Sequence, residues 1–209
     1  ASVPALDKVA RINAEQVANV GSDNMDNAIL LKLAKRVNTL LQDKEVSGVV
    51  VTHGTDTLEE TAYFLNLVVK SDKPVVVTGS MRPATAIGAD GPSNLLQAVS
   101  VAASPEAKGR GVMVVLNDRI GAARTTTKTD ANAVDTFQST NAGYLGSLIN
   151  QQPYFDNQVT RQHTVDTPFD VAKLESLPKV DIAYGSQNDN GYMYAAAVPH
   201  QAKGIAVSG

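Results

Sequence analysis

The sequence predicts an α/β fold, a mainly parallel sheet flanked by helices, and three observations carry that prediction. Three apolar, β-branched runs, Val49–Val51, Val75–Val77 and Val112–Leu116, are continuous rather than alternating, as in strands buried on both faces. Between them lie segments whose apolar residues recur at three- and four-residue spacing, the stripe of a core-facing helix. Strands that alternate with helices build a parallel sheet covered on both sides.

In chain order, residues 28–42 place Ile29, Leu33, Val37, Leu40 and Leu41 on one stripe and leave Lys32, Lys35 and Arg36 for solvent. Val49–Val51 follows as the first strand. Residues 58–69 repeat the helical stripe with Leu58, Ala62, Leu65 and Val69, and residues 94–103 form a shorter, alanine-rich helix after the second strand. Beyond residue 120 the pattern changes. Residues 121–178 are rich in Thr, Asn, Asp and Gln, with short β-like pieces such as Tyr144–Ile149, and read as a smaller mixed region attached to the sheet. A strand–loop–helix–strand pattern then restarts with Val180–Tyr184, a short helix and Ile205–Val207. The expected organisation is a larger N-terminal domain over residues 1–178, and a linker with the start of a smaller α/β C-terminal domain over 179–209. The last strand is expected to be poorly buried, and the sequence is expected to be incomplete.

Composition narrows the function. The 209 residues are 43% hydrophobic and 19% charged, an ordinary globular balance. A net charge of −3 without a Lys/Arg cluster offers no surface for nucleic acid. No apolar run reaches membrane-spanning length, so no membrane role is expected, and the N-terminus carries neither block of a signal peptide. With no cysteine there is no thiol nucleophile or thiolate metal site, and three scattered histidines make no metal set.

In an open parallel sheet the ligand site lies outside the carboxyl ends of the strands. Three loops are expected there. In the first, His53–Thr57, Thr57 with Glu60 reads as a capping box and Asp56 as a complement to the helix dipole. The functional alternative is that Gly54 lets the backbone approach a ligand, with Thr55 and Asp56 facing the crevice. His53 reads as a packed, hydrogen-bonded strand-end residue. The second loop, Gly79–Ser93, is long enough to be functional, and Arg82 reads as tying it down with an ion pair in preference to binding a carboxylate. Its glycines lack the spacing of a nucleotide-binding loop. The third, Asn117–Asp130, offers Lys128 in a threonine-rich stretch, either solvent-exposed or holding a hydroxyl in a reactive state. Thr55, Asp56 and Lys128 would together form a nucleophile–acid–base set without histidine or cysteine.

The ordered series "VVVTHGTDTLEETAYFLNLVVKSDKPVVVTGSMRPATAIGADGPSNLLQAV", "GVMVVLNDRIGAARTTTKTDA" and "HTVDTPFDVAKLESLPKVDIAYG" resembles the bacterial type II L-asparaginases and glutaminase-asparaginases, from about residue 9 to 209. The resemblance implies a two-domain α/β fold, a periplasmic homotetramer (the cytoplasm being the alternative location) and hydrolysis of the side-chain amide of L-asparagine, to varying degrees of L-glutamine. It implies no metal or organic cofactor. One threonine of the family, in a "TGGTIA"-type segment, is the acylated nucleophile; the other, with its Asp and Lys, maps onto Thr55, Asp56 and Lys128. Ser22, Asp23 and Gly54 fall where the family binds the substrate's α-carboxylate and α-amine, and Ser80 where it places a carboxamide contact.

Two departures stand beside the resemblance. No "TGGTIA" segment occurs, so the first strand and the nucleophilic threonine are expected to be missing, and residues 1–209 alone are expected to be inactive. Asp23 stands where relatives carry Gln or Glu, and this shorter acid is expected to change how the amine is held. Two other readings share parts of the pattern. One is an amidase subunit of a tRNA-dependent transamidation system, disfavoured by the lack of basic surface; the other is a non-catalytic amino-acid-binding module.

Overall fold

The computed structural model describes residues 3–209. They fall into two compact units, one running to Lys173 and the other spanning Leu174–Gly209. Among the described residues no helix is long and apolar enough to cross a membrane.

The first unit is built on a six-stranded sheet. Its strands are β1 (Val49–Thr52), β2 (Val75–Thr78), β3 (Val112–Leu116) and β4 (Arg119–Ala122), with a further hairpin at Gly146–Ile149 and Gln152–Phe155. A separate two-stranded ribbon, β5 (Thr127–Lys128) with β6 (Phe137–Gln138), lies between β4 and that hairpin in the chain, whose strands are therefore β7 and β8. The sheet order is β1-β2-β3-β4-β7-β8. The first three strands are parallel, and from β3 onward each neighbour is antiparallel.

The continuous apolar runs become strands as expected, but they are not equally buried. β2 and β3 are buried throughout, whereas Val49–Val51 are only half-buried. The reason is position: among the described residues β1 has a strand on one side only. The region after residue 120 also differs from expectation, because β4, β7 and β8 extend the sheet itself. The third predicted loop is no single loop. Asn117 and Asp118 take left-handed backbone angles, φ 53° and 60°, the two-residue turn that suits a tight hairpin, and the chain returns as β4.

Three helices cover the sheet. α1 (Asn27–Gln42) opens on Asp26, whose carboxylate accepts the Ile29 amide at 2.8 Å, and buries Leu33, Ala34, Val37 and Leu41. α2 (Leu58–Val68) buries Leu58, Ala62 and Leu65. α3 spans Gly91–Ala103, beginning three residues before its predicted start. Pro92 is tolerated in its first turn because the amide it lacks would be unpaired there in any case. Two apolar layers result, one joining α1 and α2 to Val75, Val77, Val112 and Val114, the other joining α3 to Val76, Met113, Val115 and Ile120. Alternate residues of β2 and β3 thus point to opposite helix layers, which is why their sequence is apolar without a break.

The second unit contains β9 (Val180–Tyr184), α4 (Tyr192–Ala197) and β10 (Gly204–Ser208), with β9 and β10 parallel. Ala183 and Ala197 are buried, while Ile182, Tyr184 and Val207 are mostly exposed.

Candidate active site

The parallel strands end at one rim, and the turns that follow them carry the polar residues singled out in the sequence. β1–β2 pairing continues one residue past Thr52, where the His53 amide donates to the Thr78 carbonyl at 2.8 Å. The His53 ring is fully used locally, one nitrogen 2.7 Å from the Gly54 carbonyl and the other 2.9 Å from the Thr61 hydroxyl. That is the packed strand-end role expected of it.

The expected capping box does not form. Thr57 is the N-cap of α2 but makes no side-chain cap. Its hydroxyl donates instead to the Ser22 carbonyl at 2.7 Å, while Ser22 Oγ accepts the Asp56 amide at 3.2 Å. A distant segment thus takes the hydroxyl that would have capped the helix, and it brings Ser22 against the turn. Gly54 is required for that approach: a Cβ there would lie 2.6 Å from Ser22 Oγ and 2.9 Å from Ser22 Cβ.

Lys128 arrives from the other side. After β4 the chain runs back along α2 toward its N-terminus: Arg124 donates to the Tyr63 hydroxyl at 3.1 Å, Thr127 Oγ1 donates to Glu59 at 2.9 Å, and Lys128 follows. Its Nζ stands 3.0 Å from Thr55 Oγ1 and 2.9 Å from Asp56 Oδ1. The Lys128 side chain is 15% exposed and that of Asp56 65%, so a shielded ammonium faces a solvated carboxylate. Residues 72 and 73 positions apart in the chain meet within hydrogen-bonding distance. An ammonium touching both a hydroxyl and a carboxylate is a proton-relay geometry that needs no imidazole.

Ser80 lies on the second turn. It shares an open hollow of about 360 Å³ with Thr52, His53, Gly54, Thr78, Gly79, Gly91 and Leu95. Asp90 shapes this turn, its carboxylate accepting the amides of Met81 and Arg82 at 2.9 Å each. Asn94 donates to the Gly79 carbonyl and to Asp90, both at 3.0 Å. Arg82 ties the turn by donating to the Gly88 carbonyl at 2.9 Å, a backbone hydrogen bond in place of the ion pair read from the sequence. Asp23 behaves differently from the others: it is exposed, and its carboxylate accepts from the neighbouring Asn24 at 3.0 Å. Thr55, Asp56 and Lys128 therefore converge and Ser22 and Gly54 pack beside them, while Ser80 lines a hollow that shares Gly54 with this group but none of the three. Sequence reasoning missed Glu59, Asp90 and Asn94. An acid in a first helical turn or before a Gly-Pro step reads as ordinary helix chemistry, and no local signal distinguishes it.

The chain is similar to known proteins over its whole length. Residues 1–161 match the family described as Asparaginase, N-terminal. The chain is 60% identical over 208 residues to L-asparaginase 2 of Bacillus subtilis (strain 168), covering 100% of this chain and 55% of that protein. It is 50% identical over 187 residues to the probable periplasmic L-asparaginase of Haemophilus influenzae (strain ATCC 51907 / DSM 11121 / KW20 / Rd), covering 90% and 53%. The chain thus spans about half the length of these curated relatives. Among solved structures, a probable cytoplasmic L-asparaginase from Campylobacter jejuni superposes with a TM-score of 0.95 at 51% identity, over 98% of this chain and 67% of that one.

Proposed function

The chain belongs to the asparaginase family, and from that premise we propose that it carries the Thr-Asp-Lys half of an active site that hydrolyses the side-chain amide of L-asparagine, with L-glutamine as a second candidate substrate. The observation that supports this most directly is Lys128 Nζ in contact with both Thr55 Oγ1 and Asp56 Oδ1. Amide hydrolysis adds water across the C–N bond and releases ammonia, so a hydroxyl must lose a proton and the leaving nitrogen must gain one. Lys128 passes a proton to the Asp56 carboxylate and, as the neutral amine, takes the Thr55 proton; the proton so stored goes to the leaving nitrogen, which departs as ammonia. The Thr55 oxygen thereby becomes a base or nucleophile at neutral pH. Backbone amides near Thr55 would help to stabilise the developing oxyanion.

Ser22, Asp23 and Gly54 hold the substrate's α-carboxylate and α-amine, and Ser80 the carboxamide. Anchoring these remote charges positions the side-chain amide and lowers the entropic part of the barrier. The same reading carries a homotetramer, checked by light scattering, and a periplasmic location, checked by cell fractionation; the names of its relatives include both compartments.

The test is ammonia release from L-asparagine by the full-length protein and its variants. Thr55→Ala and Lys128→Met are each expected to lose about 10²- to 10⁴-fold in kcat, the usual contribution of a proton-transfer group, while melting near the wild-type temperature. A folded Thr55→Ala protein with wild-type turnover would remove Thr55 from the chemistry. A wild-type protein that releases no ammonia from either amino acid would refute the function.

A further inference from the structure

Glu59 sits in the first turn of α2, three residues beyond Asp56, and its carboxylate is turned onto β5. One oxygen accepts Thr127 Oγ1 at 2.9 Å; the other accepts the backbone amide of Lys128 itself. The β5 strand is two residues long and pairs with β6 through Thr127 and Lys128. The Glu59 carboxylate bonds β5 in the manner of a neighbouring strand. The Lys128 backbone and ammonium are therefore held by residues within five positions of each other: Nζ by Thr55 and Asp56, the amide by Glu59.

We propose that Glu59 is a positioning residue for the hydrolysis assigned above: it fixes the Lys128 backbone so that Nζ reaches Thr55 and Asp56 together. This rests on that functional reading but makes its own structural claim. A lysine side chain has four rotatable bonds, and a free Lys128 would lose much of its entropy each time it met both partners. Tethering its amide to the first turn of α2, directly after the turn that carries the partners, fixes the point from which the side chain reaches and so narrows that search. Arg124, bonded to Tyr63 one turn further along α2, holds the same segment upstream but does not reach Lys128.

Three substitutions in the full-length protein separate positioning from charge. Glu59→Gln keeps the reach and one carbonyl acceptor for the Lys128 amide, and its amide group can donate to Thr127, whose hydroxyl also accepts. Glu59→Asp keeps the charge but is one methylene too short. Glu59→Ala removes both. The expected order of kcat is wild type, then Gln within about 5-fold, then Asp and Ala about 10- to 100-fold down, the effect of roughly 1 Å of misplacement. KM for L-asparagine is expected to stay within about 2-fold, because Glu59 does not line the hollow beside Ser80. A purely structural role would lower the melting temperature and leave kcat of the folded protein intact, overturning the proposal; so would Asp outperforming Gln. The crystal structure of Glu59→Asp decides the claim independently of any activity: Lys128 Nζ withdrawn from Thr55 Oγ1 upholds it, and Nζ still at 3.0 Å overturns it. Failure of the functional reading would show first, in a wild-type protein without amidase activity.

Discussion

Replacing Gly54 with alanine probes the contact on which the site is assembled. The new Cβ would lie 2.6 Å from Ser22 Oγ, 2.9 Å from Ser22 Cβ and 3.4 Å from the Ser22 amide nitrogen. Ser22 cannot rotate away without cost, because it is buried and accepts both the Asp56 amide and the Thr57 hydroxyl. Two outcomes compete: compression in place, at about 1–3 kcal/mol, or retreat of the Ser22 segment. Retreat forfeits two hydrogen bonds at about 1 kcal/mol each. The cheaper of the two sets the loss, about 1–2 kcal/mol, or about 2–8 °C in Tm for a protein of this size. Urea denaturation and calorimetry measure it. The double variant Gly54→Ala/Ser22→Gly removes the colliding Oγ and Cβ, so it is expected to be about as stable as Ser22→Gly alone. Gly54→Ala within 0.5 kcal/mol of wild type, or losses that simply add in the double variant, would refute the reasoning.

Two further outcomes follow from the same structure. Lys70→Met is expected to cost about 1.5–3 kcal/mol, because the Lys70 ammonium donates to the Thr167 carbonyl at 2.7 Å, the Thr167 hydroxyl at 3.0 Å and the Thr164 carbonyl at 3.3 Å. Hydrogen exchange at residues 164–167 should accelerate in that variant, and unchanged protection would show that the turn holds without it. Asp130 has its carboxyl held below the usual aspartate range by the backbone amides of Asn132 and then Ala133. A depressed folded value means the turn's stabilisation is present above the unfolded value and disappears as pH falls through the folded one. Amide shifts of Asn132 and Ala133 should therefore titrate together below the ordinary aspartate midpoint; a midpoint at or above it would contradict the assignment.

Much of the fold was legible because its signals are local. The apolar runs at residues 49, 75 and 112 and the helical stripes after residues 28 and 58 each state their own period, and period decides element type. What escaped were features set by neighbours. The half-burial of Val49–Val51 depends on which strand lies beside β1, and the pairing of β4 with β3 depends on a two-residue turn at Asn117–Asp118 inside a stretch that reads as polar loop. Thr57 and Glu60 have the letters of a capping box, yet the Ser22 carbonyl captures the Thr57 hydroxyl. The candidate site was legible as residue types on three loops, with Thr55, Asp56 and Lys128 as a possible set, and the resemblance to the asparaginases added Ser22, Asp23 and Ser80.

By itself the sequence determined the alternation of strands and helices, the lack of cysteine in these 209 residues and the presence of a hydroxyl, an acid and a lysine on loops where ligands collect. Only the tertiary structure decided that Lys128 crosses more than seventy residues to touch Thr55 and Asp56, that Ser22 closes against Gly54, and that Glu59 holds the lysine's backbone. The physical reason is range. Periodicity and composition are written in windows of a few residues, whereas a hydrogen bond between distant segments exists only after the sheet and its helices have fixed where those segments run.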